Sequence, residues 1–297
     1  MPTALFAPSL AQAAIAERNL GWEGLNAYAD LTPEEFNVRN GLIPSTTHGT
    51  GVRPLHKLSG KTPPSAVDWR DPSMNPLNET LVNPVKNQGQ CGSCWAFSTV
   101  VSTEGAHAKT TGKLVSLSEQ NIVDCAKGVI MPDNSTCCNG CQGGLMDAAF
   151  TYLENSQKGE LDTEAGYPYK GAMMPCTFSE SDVGATIKSH VDVKSTDEDA
   201  LLDAVATIGP ISVAVDAGIG WQLYSGGVMK GLLCSSDPKK LDHGVAVVGY
   251  GTDGSDDYWT IRNSWGATWG EGGYVRLIRG KNACGLADQP SYPIASA

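Results

Sequence analysis

The sequence predicts an α+β fold with two lobes. Residues 93–110, 118–125, 144–155 and 196–209 carry helical patterns, whereas residues 211–278 contain mostly short runs rich in β-branched and aromatic side chains. Helices that come first and strands that come later indicate segregated helices and sheets rather than alternating βαβ units. A chain of 297 residues is long enough for one two-lobed protein or about two domains.

The predicted helices are supported by their termini and by one apolar stripe. The first is predicted to open at Ser93 or Cys94 and to be buried, because an apolar run follows at once. Ser118 precedes the second helix as a cap residue, and the fourth is predicted to start within residues 196–199 and to stop at Gly209. The third helix carries apolar side chains at helical spacing: Leu145, Met146, Ala149 and Leu153.

Four short β-rich runs follow the last helix. They cover residues 211–215, 244–248, 258–261 and 273–278. Gly and Asp cluster between them, as is typical of the turns that separate strands. These runs predict that the second half of the chain is built mainly from a sheet.

Composition and cysteine usage restrict the partners and the compartment. The net charge is −11 and no basic stripe occurs, so nucleic acid is not expected to bind. The chain has no run of 18 apolar residues, so no membrane span is expected. Nine cysteines and the glycosylation sequons at Asn78 and Asn134 indicate an oxidising, secretory route with disulfides and glycans.

Residues 87–97 carry the first candidate for chemistry. They place Cys94 at the first turn of the predicted helix, where unpaired N–H groups and the helix dipole favour a thiolate over a thiol. A thiolate is a nucleophile that attacks a carbonyl carbon. Gln88 lies on the preceding glycine-containing loop, and we expect its side-chain amide and the Cys94 backbone N–H to form an oxyanion hole.

A thiolate needs an imidazole partner, and the chain has five histidines. His243 is the best candidate because it opens the predicted strand at residues 244–248, and a strand end facing a helix end is where a cleft between lobes forms. Asn263 follows the next strand, where its amide is predicted to fix the imidazole tautomer. Trp265 is predicted to shield that hydrogen bond from water. The other histidines are His48, His56, His107 and His190.

Four separated segments resemble the papain family of cysteine peptidases, and specifically its cathepsin L type. They are residues 88–97, 140–144, 241–244 and 262–274, and they occur in the family's chain order within residues 64–297. The resemblance implies a papain-like fold with the active-site cleft between its lobes, and peptide-bond hydrolysis through a thioester acyl-enzyme. It assigns the roles of nucleophile, general acid/base, imidazole-orienting amide and oxyanion donor to Cys94, His243, Asn263 and Gln88.

The N-terminal segment resembles the pro-segment of the same family. Residues 24–36 follow its pattern, with Tyr28 where Phe is usual, and the long helix that normally precedes this pattern is missing. We therefore expect a short or truncated pro-segment over residues 1–63 that lies along the cleft and inhibits the enzyme. The resemblance divides the remaining peptidase domain into a mainly helical lobe, residues 64–185, and a mainly β lobe, residues 186–297.

The resemblance also implies a disulfide framework that leaves Cys94 free. The expected bridges are Cys91–Cys141, Cys125–Cys176 and Cys234–Cys284. The adjacent pair Cys137-Cys138 departs from the family's pattern. These two cysteines either lie unbridged in a longer surface loop or form a strained vicinal bridge, or Cys138 competes for Cys91, and the sequence leaves all three open.

The implied substrate site is apolar. Its main pocket, for the side chain second on the acyl side of the scissile bond, is expected to take Leu, Phe or Val, and the neutral Gln289 at its base gives no strong preference for Arg. Nothing resembles the histidine-bearing insertion of the cathepsin B type, which favours endopeptidase activity. The implied substrate-binding residues are Gly143, Gly144, Leu145, Met146, Ala214, Leu241, Asp242, Gly244, Trp265 and Gln289.

Other interpretations of the same residues are weaker. Cys91 and Cys94 form a CxxC, but a dithiol oxidoreductase requires a preceding strand in a βαβ unit. A zinc site with the second CxxC, Cys138 to Cys141, is disfavoured because the 43 residues between the pairs exceed the spacing of zinc ribbons. The alternative function is a non-catalytic secreted binding protein of the same fold, although such relatives usually lack the nucleophile.

The resemblance completes the expected biology. No metal or organic cofactor is implied. The expected partners are polypeptide substrates, the chain's own pro-segment and protein inhibitors of the cystatin type. We expect a monomeric zymogen that is carried to the lysosome or vacuole, or secreted.

Overall fold

The computed structural model describes residues 21, 24, 26, 28–45, 48 and 52–297. Residues 1–20 of the predicted pro-segment therefore lie outside the described residues. The described helices are α1 (Pro33–Asn37), α2 (Cys94–Thr111), α3 (Glu119–Cys125), α4 (Met146–Ser156), α5 (Glu198–Thr207) and α6 (Ile219–Gln222). Short 3₁₀ helices cover Pro72–Met74, Gly140–Gln142, Pro238–Lys240 and Ala283–Gly285.

The strands of the described residues form one large sheet and one small hairpin. They are β1 (Val67–Asp68), β2 (Val129–Ile130), β3 (Thr136–Cys137), β4 (Glu160–Asp162), β5 (Val183–Asp192), β6 (Ile211–Val215), β7 (Val228–Met229), β8 (His243–Asp253), β9 (Asp256–Arg262), β10 (Tyr274–Ile278) and β11 (Ser291–Ala295). The large sheet has the order β4-β5-β11-β6-β8-β9-β10-β7, and β1 pairs with β8. All of its pairs are antiparallel except β10 with β7. Strands β2 and β3 pair only with each other.

Helix α2 is the central element that both halves of the protein share. It is buried along most of its length, because small and apolar residues dominate its sequence. It begins after Ser93 and ends where Gly112 adopts a left-handed conformation, with φ of 71°. It packs against α3 and α4 on the helical side and against β6, β8 and β11 on the sheet side.

Two apolar cores lie on the two sides of α2. The first gathers side chains of α2, α3 and α4, together with Ala214 and Leu241 from the sheet side. The second fills the β-rich half around Trp221, Trp259 and Trp269. Two cores that meet along one helix confirm the predicted α+β fold with two lobes.

The sequence predicted most elements correctly and missed several. All four long helices lie within two residues of their predicted bounds, and β6 has its predicted bounds. Strand β8 runs on to Asp253, beyond the predicted end. Strand β5 was missed because its pattern is polar. Its His190 side chain is nevertheless buried, with Nδ1 2.6 Å from Glu154 Oε1.

Candidate active site

The nucleophile loop is fixed to the opposite rim of the cleft. A disulfide joins Cys91 to Cys141 with an S–S distance of 2.03 Å, and the Gly92 N–H donates to the Cys141 carbonyl at 3.0 Å. A Cβ at Gly92 would lie 2.6 Å from that carbonyl oxygen, so this approach requires glycine. The loop delivers Cys94 as the first residue of α2, fully buried and not part of any disulfide.

The other implied disulfides are also present. Cys125 bonds to Cys176, and Cys234 bonds to Cys284. Cys138 does not compete for Cys91, because Cys91 is bonded to Cys141. This bond also uses one cysteine from each CxxC of the sequence.

His243 is held by one amide in a defined tautomer. Its Nε2 lies 2.8 Å from Asn263 Oδ1, which also accepts from the Ser264 backbone N–H at 2.8 Å. Because Oδ1 can only accept, Nε2 carries the proton of the neutral ring and Nδ1 carries the lone pair. Nδ1 is buried and has no hydrogen-bond partner within the described part of the chain. The structure thus places the Asn263 amide against the His243 ring.

Aromatic rings enclose this imidazole. The Trp265 ring lies 4.6 Å from the His243 ring at an interplanar angle of 32°, where the sequence predicted a shield. Trp221 is fully buried and meets the His243 ring edge-on at 6.2 Å. Trp269 stacks on Trp221 at 9° and holds it in place. The histidine–asparagine hydrogen bond therefore lies in an apolar setting, which strengthens it.

Cys94 and His243 meet where α2 faces the start of β8. The backbone N–H of Gly41 donates to the Cys94 sulfur at 3.3 Å. Burial nevertheless raises the pKa of Cys94 to about 11 and lowers the pKa of His243 to about 4. The sequence argument from the helix dipole favoured a thiolate, whereas burial in this covered state favours the neutral form of both groups.

Gln88 is aimed into the site by hydrogen bonds on both sides of its amide. Ser264 Oγ donates to Gln88 Oε1 at 2.5 Å, so the Nε2 hydrogens must point the other way. Nε2 donates to the Cys91 carbonyl and to the Arg39 carbonyl, both at 2.8 Å. Tyr169 supports the same loop, because its hydroxyl donates to the Gln88 carbonyl at 2.9 Å. The sequence analysis assigned no role to Ser264 or Tyr169.

Residues 39–45 occupy the cleft. The Gly41 N–H donates to Cys94 Sγ at 3.3 Å. The Gly144 N–H donates to the Gly41 carbonyl at 2.8 Å, and the Gly144 carbonyl accepts from Ile43 at 2.8 Å, which makes a parallel bridge between Leu42 and Gly144. The segment therefore uses the backbone of the cleft rim as an added strand does.

Leu42 fills the apolar pocket, and polar contacts hold its neighbours. Leu42 is 7% exposed and donates its N–H to the Asp242 carbonyl at 2.9 Å. The Gln289 amide pairs with both the N–H and the carbonyl of Ser45, each at 3.0 Å. The Asp242 side chain accepts from Asn40 at 3.0 Å. The apolar residues in the same cluster as Leu42 include Cys94, Leu145, Met146, Ala214 and Leu241.

The remaining predicted contact residues lie at the edges of this segment. A Cβ at Gly143 would lie 2.8 Å from the Gly41 carbonyl oxygen, so the rim admits the segment only because it has no side chain there. Trp265 packs edge-on against Phe36 at 5.0 Å and Tyr28 at 5.9 Å. Tyr28, which replaces the usual Phe, donates its hydroxyl to the Trp265 carbonyl at 2.8 Å. The structure thus brings the predicted substrate-binding residues together along the segment.

A charged anchor outside the cleft holds the next part of the segment. Arg53 Nη1 lies 2.9 Å from Asp147 and 3.6 Å from Asp192, and His48 Nδ1 lies 3.3 Å from Asp147. All four side chains are almost completely buried. Further along, His56 Nε2 contacts Asp203 at 2.9 Å. Sequence reasoning missed this anchor because its members are far apart in the chain.

A buried charge cluster lies behind Asn263. Lys86 Nζ is 2.7 Å from Glu119, and Arg262 Nη1 is 3.7 Å from Glu104. Burial raises the pKa of Glu119 to about 8, although the Lys86 charge opposes that shift. Because Arg262 precedes Asn263, the cluster fixes the end of β9 from which the orienting amide projects. No pattern in the sequence indicates this cluster.

The fold and the site together define a class of protein. A free buried thiol at a helix N-terminus, a histidine oriented by an amide at the facing strand and a directed amide donor are the parts of a cysteine hydrolase.

Comparisons with known proteins identify the family. The sequence model described as "Papain family cysteine protease" matches residues 63–294. "Cathepsin L" of Sarcophaga peregrina is 45% identical over 288 residues, and "Cathepsin L-like" of Caenorhabditis elegans is 51% identical over 277 residues. Each of these alignments covers 91% of this chain and 77% of the relative. The solved structure of digestive procathepsin L 3 from Tenebrio molitor larval midgut superposes with a TM-score of 0.80 at 39% identity, covering 95% of this chain and 88% of that one.

The chain belongs to the papain family of cysteine proteases, and it is a cysteine endopeptidase. The comparisons give no support to the alternative of a non-catalytic binding protein. No helix of the described residues is long and apolar enough to cross a membrane.

Proposed function

We propose that the protein hydrolyses peptide bonds with Cys94 as nucleophile, His243 as general acid/base, Asn263 as the group that orients His243, and Gln88 as oxyanion donor. The observation that carries this assignment is that hydrogen bonds fix the orientation of both the His243 ring and the Gln88 amide. The hydrogen bond from His243 Nε2 to Asn263 leaves Nδ1 unbonded, and the Ser264–Gln88 hydrogen bond turns the Gln88 N–H₂ toward the position of the Arg39 carbonyl.

The reaction then proceeds in two halves. When the cleft is uncovered and rehydrated, the Cys94 proton passes to His243, and the thiolate attacks the substrate carbonyl carbon. The Gln88 amide and the Cys94 backbone N–H stabilise the negative oxygen. His243 donates its proton to the leaving amine, which breaks the C–N bond and leaves a thioester. His243 then deprotonates a water molecule that hydrolyses the thioester and releases the acid product.

The same geometry supports latency by the pro-segment, which we place at residues 1–63, ahead of a peptidase domain at residues 64–297. The oxyanion donor Gln88 binds the Arg39 carbonyl, whereas the Cys94 sulfur faces the N–H of Gly41. Attack requires one carbonyl whose carbon faces the sulfur and whose oxygen lies in the oxyanion hole. Because different peptide units occupy the two positions, the segment fills the site without presenting a bond for cleavage.

The pocket that holds Leu42 defines the proposed specificity. Its apolar walls fit Leu, Phe or Val, and Gln289 at its edge is neutral. We expect substrates with Leu second on the acyl side to have a higher kcat/KM than those with Arg. In Gln289→Glu, the added charge should raise kcat/KM for the Arg substrate by about tenfold while Leu substrates change little. An unchanged ratio would place Gln289 outside the pocket.

The catalytic assignment is tested by trapping the nucleophile. Acid-treated protein is incubated at about pH 5.5, within the range where His titrates, with an epoxysuccinyl peptide that carries Leu, and the adduct is mapped by mass spectrometry. We expect one adduct for each chain on Cys94. His243→Ala should abolish it, whereas His107→Ala, a histidine change on α2 away from the cleft, should not.

The outcomes separate chemistry from folding. An adduct on Cys94 in His243→Ala at the wild-type rate would refute the role of His243. No adduct in wild-type protein that shows native circular dichroism would refute the role of Cys94. The His107→Ala protein reports whether any histidine change perturbs the fold.

We further propose a secretory location and its consequences. The three disulfides fit an oxidising route that ends in the lysosome or vacuole or outside the cell. Asn78 and Asn134 are exposed residues with positive φ in turns, which suits glycan attachment. We expect a monomer, and an uncovered cleft that accepts protein inhibitors of the cystatin type.

A further inference from the structure

Cys137 and Cys138 form a pair of sulfur atoms that neither the three disulfides nor the proposed mechanism uses. Their Sγ atoms lie 2.6 Å apart. Packed carbon atoms lie about 3.5–4.0 Å apart, so this contact is closer than ordinary packing. A disulfide bond is about 2.03–2.05 Å long, so the pair needs only a small movement to bond.

The backbone keeps the two sulfurs together. Cys137 pairs with Val129 across the small hairpin, and the Gly128 N–H donates to the Cys138 carbonyl at 3.0 Å. Cys138 has φ of 79°, a conformation that residues other than glycine rarely adopt. Both side chains are buried. The hairpin thus fixes the backbone of both cysteines, and this keeps their two sulfur atoms close together.

This dithiol lies in the wall of the substrate cleft. Cys137 lines a cavity of about 220 Å³ between the hairpin and the inhibitory segment. Residues 43–45 and Leu145 also line this cavity. Cys138 packs in the same apolar cluster as Leu145, and Leu145 directly precedes α4 in the pocket that holds Leu42. A change at the pair therefore acts directly on the residue that shapes this pocket.

We propose that Cys137 and Cys138 form a thiol–disulfide switch in the cleft wall that low-molecular-weight disulfides close and thiols reopen. The thiolate of Cys137 attacks one sulfur of the external disulfide and releases its first thiol. The sulfur of Cys138 then attacks Cys137 and releases the second thiol. Two electrons pass from the pair to the external disulfide, and the two protons of the pair go to the released thiols.

The pro-segment controls access to the switch. Cys137 faces the cavity, whereas the hydrogen bond to Cys137 and burial raise the pKa of the Cys138 thiol and keep it protonated. Residues 43–45 close the cavity from the other side. Cys137 is thus the first sulfur to react, and the pair becomes accessible when the segment leaves the cleft. The chemistry of the pair stands without the proposed function, but its effect on substrates rests on that function.

The chemical test counts thiols in the full chain and in the processed enzyme obtained from it. Each form is equilibrated with reduced and oxidised glutathione at several ratios, quenched in acid and alkylated in denaturant, and the peptides are mapped by mass spectrometry. We expect the peptide with Cys137 and Cys138 to lose both alkylation sites together as the oxidised form increases. The loss should be reversible, and faster in the processed enzyme than in the full chain.

Single variants and the native thiol of Cys94 provide controls. In Cys137→Ser, Cys138 has no partner and should stay alkylated, whereas in processed Cys138→Ser, Cys137 faces the uncovered cavity and should carry one glutathione. Cys94 lies on a different peptide and is counted separately. Two thiols that stay alkylated at every ratio, a bond that stays closed at every ratio, or glutathione bound at each cysteine independently would each overturn the proposal.

The functional test measures KM and kcat after the redox buffer is removed, with active sites titrated by the epoxysuccinyl peptide. Oxidation of Cys94 lowers the number of active sites, whereas closing the pair should change KM for Leu substrates by at least about twofold at unchanged site number. The double variant Cys137→Ser with Cys138→Ser should not respond. If the pair oxidises but KM is unchanged, the cleft part of the proposal is wrong and the modification site stands.

Discussion

Replacing Leu42 with Ala tests how the inhibitory segment is held in the cleft. Leu42 is 7% exposed and packs in a pocket whose walls include Leu145, Met146 and Leu241. Removing a buried leucine side chain costs about 2–5 kcal/mol, and the lower part of that range applies where the site opens to solvent. We therefore expect the covered state to lose about 2–3 kcal/mol, which raises the uncovered fraction about 30- to 140-fold.

The assay is the rate at which iodoacetamide alkylates Cys94 in chains that are still uncut. Sulfur covered by Gly41 does not react, so the rate follows the uncovered fraction when uncovering is fast relative to alkylation. Val38→Ala is the matched control, because Val38 lies in the same segment but is 53% exposed. If Leu42→Ala reacts at the rate of Val38→Ala, the apolar pocket does not hold the segment and the argument from burial is wrong.

Two further predictions concern groups that act through neighbours. Ser264→Ala removes the donor that turns the Gln88 amide; kcat should fall about 10- to 100-fold with little change in KM, and measurement of both constants checks this. Burial alone lowers the pKa of His48, but Asp147 and Asp192 outweigh burial and raise it. The stabilisation from protonated His48 beside Asp147 and Asp192 is therefore complete below about pH 6.5, and it is lost as the pH rises through the raised pKa of His48. His48→Gln should speed Cys94 alkylation relative to wild type in acid, and the ratio of the rates should approach one at higher pH.

The candidate site could be predicted where local sequence fixes local geometry. Cys94 follows a cap residue at the start of a buried helix, His243 begins a strand, and Asn263 ends the next strand. Each position depends on a few adjacent residues, so a pattern in the chain predicts where the side chain lies. The apolar pocket was expected on a different ground, because its residues were implied by the resemblance to the papain family, and Leu145 and Met146 lie at the start of α4.

The hydrogen bonds that position the catalytic side chains could not be predicted, because they join residues far apart in the chain. Ser264 and Gln88 are 176 residues apart, and Tyr169 and Gln88 are 81 apart. Strand β5 was missed because the pattern that marks a strand is broken by His190, which is buried beside Glu154 with Nδ1 2.6 Å from Oε1. The burial of a polar side chain depends on a partner that only the fold supplies.

Two buried groups determine how the site responds to acid while residues 39–45 cover it. Burial lowers the pKa of His243 to about 4, so the buried His243 destabilises the covered state as the pH falls from about 6.5 toward that value. Burial raises the pKa of Asp242 to about 6, so covering gains stability as the pH falls through that value toward the ordinary value of about 4. Near pH 5 the pKa shifts of His243 and Asp242 thus act in opposite directions on the stability of the covered state.

Two other contacts hold the segment over His243 and Asp242, and neither contains a titratable group. The backbone pairing with Gly144 and the burial of Leu42 in its apolar pocket are independent of pH. Because the pKa of His48 is raised, its contact with Asp147 and Asp192 holds the segment more firmly in acid than at neutral pH. Acid acting on His243 and Asp242 alone therefore supplies little force for release. Cutting the segment removes the connection between its anchors, so each then dissociates on its own. Because apolar burial does not depend on pH, the pocket that holds Leu42 contributes to the proposed latency at every pH at which the protein is folded.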